Sequence, residues 1–229
     1  MKPLVLLVAV GIAATSLLIL PGLIWQNAPV SAIERFWRSQ ATLWIVGLPV
    51  LGLSFAFFRT RAREFLRLNR LSGAAEPSAI LGIRANEDWR RVGWQLGLVI
   101  AVVTAIVMFA PLPLSSLKFT TALPLLPLVL FFSLSNALGE ELIFRHAVVS
   151  ALEDSRWAKH SPLVSAAIFG SVHYFGAPGG FLGVLMAGIL GWVLAKSLRE
   201  TRGLFWAWSI HFVLDVIIIG AILLQEAGR

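Results

Sequence analysis

The run NALGEELIFRHAVV, residues 136–149, places two adjacent glutamates, an arginine and a histidine inside an otherwise apolar stretch. A charged side chain at the centre of a bilayer costs at least about 2.5–3.5 kcal/mol, so it is kept where it is paired or functional. Glu141 and Arg145 are one helical turn apart with the acid first, which is the favourable order for an ion pair. Glu140 lies about 100° further round the helix and is left without that partner.

The composition around this run requires a membrane. The 229 residues are 58% hydrophobic and 14% charged, with a mean hydropathy of +0.82, whereas soluble domains are typically about 25% charged. The chain has no cysteine, so disulfides and thiolate metal ligands are excluded. The formal charge of +7 does not indicate nucleic-acid binding, because the basic residues cluster at the ends of apolar stretches.

Seven stretches approach the ~20 residues that are needed to cross the hydrocarbon core. They cover residues 3–25, 41–58, 92–112, 123–152, 162–177, 181–197 and 204–224. The fifth and sixth are short, and the turn-like GAPGG at 176–180 predicts that they form a tight hairpin. We predict an all-α fold, a polytopic membrane helical bundle with about seven transmembrane helices. Within this one membrane domain, residues 1–122 are N-terminal membrane helices with a basic cytoplasmic loop, and 123–224 are a helical core.

The distribution of lysine and arginine predicts the orientation. With a cytoplasmic N-terminus, fourteen basic residues lie inside and four outside, and Arg145 lies within a span. The inside group is Lys2, the eight arginines of 59–91, Arg156, Lys159, Lys196, Arg199 and Arg202, and the outside group is Arg35, Arg38, Lys118 and Arg229. We expect a multi-pass protein of the cell (inner) membrane with its N-terminus cytoplasmic and its C-terminus outside. The basic segment 59–71 would be either an interfacial helix on anionic lipid or only a positive-inside anchor.

Two further spans contribute ionisable residues. The fifth contains His173, and the seventh contains His211 and Asp215, one turn apart on one helical face. At 1.5 Å per residue, these three and Glu140 all lie roughly 10–18 Å from the cytoplasmic ends of their spans. Their similar depths predict that they line one buried cavity.

The remaining patterns concern packing. The sixth span carries small residues four apart, which form one helical stripe: Gly183, Ala187, Gly191 and Ala195. Such a stripe predicts the close approach of a neighbouring backbone. Asn136 shares the helix face of Glu140, whereas His146 and His160 fit no cluster. We expect His146 to face another helix or the cytoplasmic boundary.

Three motifs follow in order along successive spans: EELIFR at 140–145, FGSVH at 169–173 and HFVLD at 211–215. They match EExxxR, FxxxH and Hxxx(D/N), and together they resemble the CPBP family over about residues 123–224. That family comprises the type II CAAX prenyl endopeptidases and the bacteriocin-processing or self-immunity membrane proteins, also called Abi proteins. The resemblance implies an intramembrane metalloendopeptidase that hydrolyses a peptide bond of a membrane-associated protein or peptide in the lipid bilayer.

The resemblance also implies a catalytic set. Glu140 and His173 would activate the attacking water, while Glu141 and Arg145 would set the geometry of the site. The set is completed by residues that stabilise the oxyanion or bind metal, namely His211 and Asp215. Prenylated CAAX proteins are a eukaryotic substrate class, so the resemblance alone does not assign that substrate.

Two chemical schemes are compatible with this set. In the first, Zn²⁺ binds a water, and its ligands come from Glu140, His173, His211 and Asp215. In the second, no metal is used: Glu140 and His173 activate water directly and His211 polarises the carbonyl. Members of the family often carry Asn at the last motif position. Asp215 is a better metal ligand and a poorer oxyanion donor than Asn, which weighs against an oxyanion role for it.

A non-enzymatic function is the alternative. Buried Glu, His and Asp residues also form proton relays and transport pathways. The same cluster would therefore suit a membrane immunity or binding protein, or a proton-coupled transporter. No inverted repeat or pair of interrupted helices is evident in the sequence, and either would have favoured a transporter.

Overall fold

The chain is almost entirely helical. The structure, a computed structural model, describes residues 1–24, 31–111, 119–176 and 178–227. The helices are α1 (Lys2–Ile24), α2 (Ala32–Phe65), α3 (Trp89–Phe109), α4 (Phe119–Glu140), α5 (Ala147–Leu152), α6 (Ser161–Val172), α7 (Gly180–Thr201) and α8 (Phe205–Ala227). A π-helical segment, Glu141–His146, joins α4 directly to α5. The predicted all-α membrane bundle is confirmed. Lys118 and Arg229, which were counted for the orientation, lie outside the described residues.

Six helical segments of the described chain are long and apolar enough to cross a membrane. They are Lys2–Pro21, Ala32–Phe65, Trp89–Phe109, Ala122–Leu152, Gly180–Thr201 and Phe205–Ala227. The fifth predicted stretch differs, because α6 has only 12 residues and rises about 18 Å, against a hydrocarbon core of about 30 Å. The chain then turns back through the predicted hairpin, where Gly180 has a φ of 65°. Ala177 of that turn lies outside the described residues.

The π-helical segment lies at the centre of the bundle. Every residue from Glu141 to Leu152 is buried, and the segment contacts α2, α4, α6 and α7. A π-helix bonds residue i to i+5 instead of i+4, so side chains four apart are no longer stacked as in an α-helix. Such single turns are frequent at functional sites.

The small-residue stripe of α7 faces α6, as predicted. A Cβ atom at Gly191 would stand 3.2 Å from the Cα atom of Ala166 on α6. In the other direction, a Cβ atom at Gly170 of α6 would stand 2.8 Å from the carbonyl oxygen of Val184 on α7. The two backbones therefore touch, and this contact fixes the end of α6 against α7.

Ion pairs join the helix ends on the side that is predicted to be cytoplasmic. Arg202, after α7, binds Glu64 of α2 and Glu153 after α5, both at 3.1 Å. Arg61 binds Asp154 at 2.7 Å. Side chains at the ends of three spans thus meet in one charged layer.

The basic segment 59–71 begins directly after a kink in α2, because Phe58 has a non-helical backbone with φ −132° and ψ 38°. Its residues up to Phe65 are helical, and the rest is not. The kink separates this helical piece from the apolar span before it, and both alternatives for the segment, an interfacial helix or only a positive-inside anchor, stay predictions. A small hairpin follows, in which β1 (Ala74–Ala75) pairs antiparallel with β2 (Glu87–Asp88). The Ser72 hydroxyl donates to Asp88 and holds the pKa of that carboxyl below its usual range.

The contact between α3 and α8 depends on a glycine. Trp206 of α8 is fully buried, and a Cβ atom at Gly93 of α3 would stand 2.4 Å from the indole Cδ2 atom. The indole nitrogen of Trp206 also donates to the carbonyl of Leu71 at 2.8 Å. The indole can therefore not move aside without losing this hydrogen bond.

We predict that Gly93→Ala destabilises the protein by about 1–3 kcal/mol, the usual cost of overpacking a filled core. The matched control is Gly52→Ala in α2, where an added Cβ atom meets nothing within 4 Å and helix propensity improves stability by about 0.5–1 kcal/mol. Thermal unfolding in detergent, followed by tryptophan fluorescence, measures both. Equal midpoints for the two variants would contradict the packing described for α3 and α8.

Candidate active site

The four residues that were predicted to meet do line one cavity. It has a volume of about 510 Å³, and its lining includes Glu140, His173, His211 and Asp215. It is bordered by residues of α2, α3, α4, α6, α7 and α8. Asn136 lines it as well, as expected from the helix face that it shares with Glu140. The meeting of the side chains is confirmed, while their chemical roles stay predictions.

His211 is oriented by a glutamate behind the cavity. Its Nδ1 atom lies 2.7 Å from Oε1 of the fully buried Glu141. A carboxylate on Nδ1 fixes the imidazole tautomer and ring orientation, and leaves Nε2 for the site. Nε2 lies 3.5 Å from Oε2 of Glu140 and 3.7 Å from Oδ1 of Asp215. Two carboxylate oxygens repel a bare nitrogen lone pair, so this point favours a proton or a cation.

The predicted pair of Glu141 and Arg145 is present, but Arg145 also contacts an aromatic ring. Nε of Arg145 lies 3.4 Å from Oε1 of Glu141, and both side chains are fully buried. Within the described part of the chain, no nitrogen of this guanidinium donates a hydrogen bond. Instead, the guanidinium carbon lies 3.6 Å from the ring centroid of Phe169, a cation–π contact. The π-helical turn explains the loose pair, since it displaces residues four apart.

Phe169 connects the site residues of three helices. Its carbonyl oxygen lies 2.8 Å from Nδ1 of His173. Because a carbonyl only accepts, Nδ1 carries the proton and Nε2 is left as an acceptor. The Phe169 ring centroid lies 4.2 Å from that of His173 and 5.7 Å from that of His211. Sequence analysis quoted Phe169 in its motif without a role, although the FxxxH spacing already placed it one turn from His173.

Asp215 is held by an amide chain that begins on α2. Asn136 donates from Nδ2 to Oδ2 of Asp215 at 3.1 Å. Gln40 in turn donates from Nε2 to Oδ1 of Asn136 at 3.2 Å. No sequence pattern singled out Gln40, because it ends the polar run ERFWRSQ at 34–40, one residue before the predicted span 41–58. It therefore did not stand out as a polar residue inside a span.

The other two histidines lie elsewhere. His146 is fully buried, and its Nε2 atom lies 2.9 Å from the carbonyl oxygen of Ala62 on α2. It faces another helix, as expected. His160 lies in a short 3₁₀ turn, Ala158–His160, before α6, with its ring 5.8 Å from that of Trp157.

The geometry of the predicted zinc ligands agrees only in part with what the ion requires. Zinc holds its ligands at about 2.0–2.2 Å, so the 3.5 Å and 3.7 Å separations from Nε2 of His211 suit two carboxylates that share an ion with it. Nδ1 of His173 donates to the Phe169 carbonyl, so Nε2 is the nitrogen that this histidine has for a metal. Among the described residues, no group of three or more His, Asp or Glu side chains is arranged to hold a metal ion. The zinc site therefore stays a prediction.

The comparison with protein families agrees with the motifs. Residues 121–217 match the family model described as Type II CAAX prenyl endopeptidase Rce1-like. The matched segment contains all six predicted catalytic residues and is less than half of the 229-residue chain. No curated protein and no solved structure gives a match. The resemblance to the CAAX proteases that the three motifs predicted is confirmed over this segment.

The two adjacent glutamates should differ in their effect on stability. Glu141→Ala leaves Arg145 and His211 buried without their carboxylate, so we expect it to cost about 3–5 kcal/mol, as for a broken buried pair. Glu140→Ala removes a side chain that lines the cavity and is 17% exposed, so we expect the folded protein to persist. Thermal unfolding in detergent compares them. A larger loss for Glu140→Ala than for Glu141→Ala would contradict this division.

Proposed function

We propose that this protein is an intramembrane endopeptidase of the CAAX protease type, which hydrolyses a peptide bond of a membrane-associated protein or peptide. The observation that carries the proposal is the meeting of Glu140, His173, His211 and Asp215 in one cavity among membrane-spanning helices. A carboxylate and imidazoles at one point supply the proton acceptor and proton donor that hydrolysis of a peptide bond requires. The family match over 121–217 supports the same reaction.

Glu140 is proposed as the general base. It lines the cavity, and its Oε2 atom has no hydrogen-bond partner among the described residues. Glu141 is fully buried and is not part of the lining, and its Oε1 atom accepts from His211. Glu140, helped by the free Nε2 atom of His173, accepts a proton from the attacking water. The water oxygen forms a bond to the peptide carbonyl carbon at the same time. When the C–N bond breaks, this proton passes to the leaving amine, which balances the reaction.

His211 is proposed to stabilise the oxyanion. With Nδ1 donating to Glu141, Nε2 is a donor when the imidazole is doubly protonated, and this second N–H then faces the reacting carbonyl. Asp215 accepts from Asn136 and lies 3.7 Å from Nε2 of His211, so we assign it to orienting the imidazole rather than to the oxyanion itself. Zn²⁺, if bound by His211 with Glu140 and Asp215, would supply a Lewis acid at the same point.

An apolar substrate fits the remaining lining of the cavity. Val99 and Val103 of α3 and Ile189 of α7 line it, and they are between 47% and 60% exposed. Further aliphatic side chains come from α8, including Leu214 and Ile218. A volume of about 510 Å³ is in the range of ligand sites and supports a substrate that approaches from the lipid.

The cytoplasmic location of the N-terminus remains part of the proposal. Arg61, Arg199 and Arg202, from two of the segments counted as inside, bind Asp154 and Glu153 of a third in the charged layer at one end of the bundle. That clustering supports the orientation predicted from the positive-inside rule. In this orientation, the cavity lies inside the membrane, on the cytoplasmic side of the outer ends of the helices.

A comparison of membrane-protein N-termini in cells that express the wild type or Glu140→Ala tests the proposal. We expect specific N-termini in the wild type that fall at least about 100-fold in the variant, because a general base contributes 10²–10⁴-fold. Glu87→Ala in the hairpin is the control and should cleave like the wild type. Identical N-termini in wild type and Glu140→Ala would contradict the endopeptidase function and favour the binding or transport alternatives.

Metal analysis of the purified protein separates the two chemical schemes. The steps above use side chains alone, so we expect a chelated, metal-free preparation to cleave a peptide that spans the site found by the N-terminal comparison. Zinc repletion should then leave the rate unchanged. Loss of cleavage on chelation, with recovery on adding Zn²⁺, would show that the zinc scheme is correct instead.

A further inference from the structure

We propose that Gln40 on α2 is a positioning residue for this reaction. By hydrogen bonding to Asn136, it fixes the amide orientation that holds Asp215 beside His211. The inference rests on the proposed function. It concerns a helix that precedes the matched segment 121–217, so no motif of that segment contains Gln40.

The two hydrogen bonds that link Gln40, Asn136 and Asp215 both run toward Asp215, each residue donating to the next. An Asn side chain has one acceptor oxygen and one donor NH₂ group, which can exchange places by a rotation of about 180°. Gln40 donates to Oδ1 of Asn136, so Nδ2 is the group turned to Asp215. In the flipped orientation, Oδ1 of Asn136 would face the carboxylate and repel it. The donor of Gln40 and the carboxylate of Asp215, which only accepts, therefore select this orientation of Asn136 together.

The packing around Gln40 makes this selection rigid. A Cβ atom at Gly139 of α4 would stand 2.6 Å from Cδ2 of Leu43, so α2 and α4 are in close contact one residue before Glu140. One turn along α2, Trp44 donates to the hydroxyl of Ser135 at 2.9 Å. Gln40 is only 5% exposed between these contacts and has little freedom to leave Asn136.

The unused half of the Gln40 amide argues against a purely structural role. Its Oε1 atom is buried and has no hydrogen-bond partner in the described ranges. Burying a polar group without a partner is unfavourable, and an aliphatic side chain of the same length would pack without that cost. A glutamine at this position is explained by what its NH₂ group does for Asn136.

The effect should appear in kcat rather than in KM. Ser39 and Phe36 of α2 line the cavity, whereas Gln40 is not part of the lining. Gln40 therefore acts on Asp215 through Asn136 and does not touch the substrate. Misplacing an orienting group lowers the rate of the chemical step, in typical cases by about 10- to 100-fold.

The kinetic test compares Gln40→Met with Trp44→Phe. Methionine keeps the length of glutamine and loses the donor, and Trp44→Phe removes a different hydrogen bond between α2 and α4. The probe is a quenched peptide that spans the cleavage site found in the N-terminal comparison. We expect Gln40→Met to lower kcat about 10- to 100-fold with KM within about twofold, and Trp44→Phe to leave both unchanged. An equal fall in both variants would mean general loosening of α2 and would overturn the proposal.

A second measurement does not depend on activity. The chain has four asparagines, at positions 27, 69, 86 and 136, so ¹⁵N-asparagine labelling gives few side-chain amide signals. The Asn136 signal is identified by its loss in Asn136→Leu. We expect it to shift in Gln40→Met and to stay in place in Trp44→Phe.

The two measurements separate the possible failures. Unchanged kcat and an unchanged Asn136 signal in Gln40→Met would overturn the positioning role, while the wild type and Glu140→Ala still decide the endopeptidase. If the wild type cleaves no better than Glu140→Ala, the proposed function falls and the positioning role falls with it. The amide signal would then report only whether the hydrogen bond from Gln40 exists.

Discussion

The buried carboxylate of Glu141 is the interaction on which the rest of the site depends. It accepts from Nδ1 of His211 at 2.7 Å and lies 3.4 Å from Nε of Arg145. An uncompensated charge at this depth costs several kcal/mol, so the hydrogen bond from His211 stabilises α8 beside the π-helical segment. α4, which carries Glu140, packs directly along α8, which carries Asp215. The cavity lies beside this contact, with the paired charge of Glu141 buried behind it.

The π-helical turn begins between two adjacent glutamates that have different surroundings. Glu140 ends α4 and lines the cavity, while Glu141 begins the π-helical segment and is buried behind it. A regular α-helix would stack Arg145 over Glu141 as its partner. With the π turn the guanidinium lies over Phe169, and Oε1 of Glu141 is closer to Nδ1 of His211, at 2.7 Å, than to Nε of Arg145, at 3.4 Å. Local helix irregularity, which slightly weakens one ion pair, thus builds the support for the imidazole.

Features with a periodicity were predictable, and features that depend on one residue or on packing were not. Helical spacing and depth along each span were enough to bring Glu140, His173, His211 and Asp215 together. The π turn leaves no trace in the spacing of residues 141–146, because it is stabilised by tertiary contacts that the sequence does not display. The half-length of α6 follows from its hairpin with α7, and Gln40 is one of several polar residues in the first turns of α2. These were found only in three dimensions.

The N-terminal helices complete a site whose motifs all lie in the matched segment. Phe36 and Ser39 of α2 and Thr104 of α3 line the cavity with the motif residues, and Gln40 reaches Asp215 through Asn136. The sequence was divided into N-terminal helices, 1–122, and a helical core, 123–224. Helices from both parts line the same cavity. Since α2 and α3 supply lining that the three motifs do not specify, the proposed function implies that changes in these helices alter the substrate or the rate while the motifs stay the same.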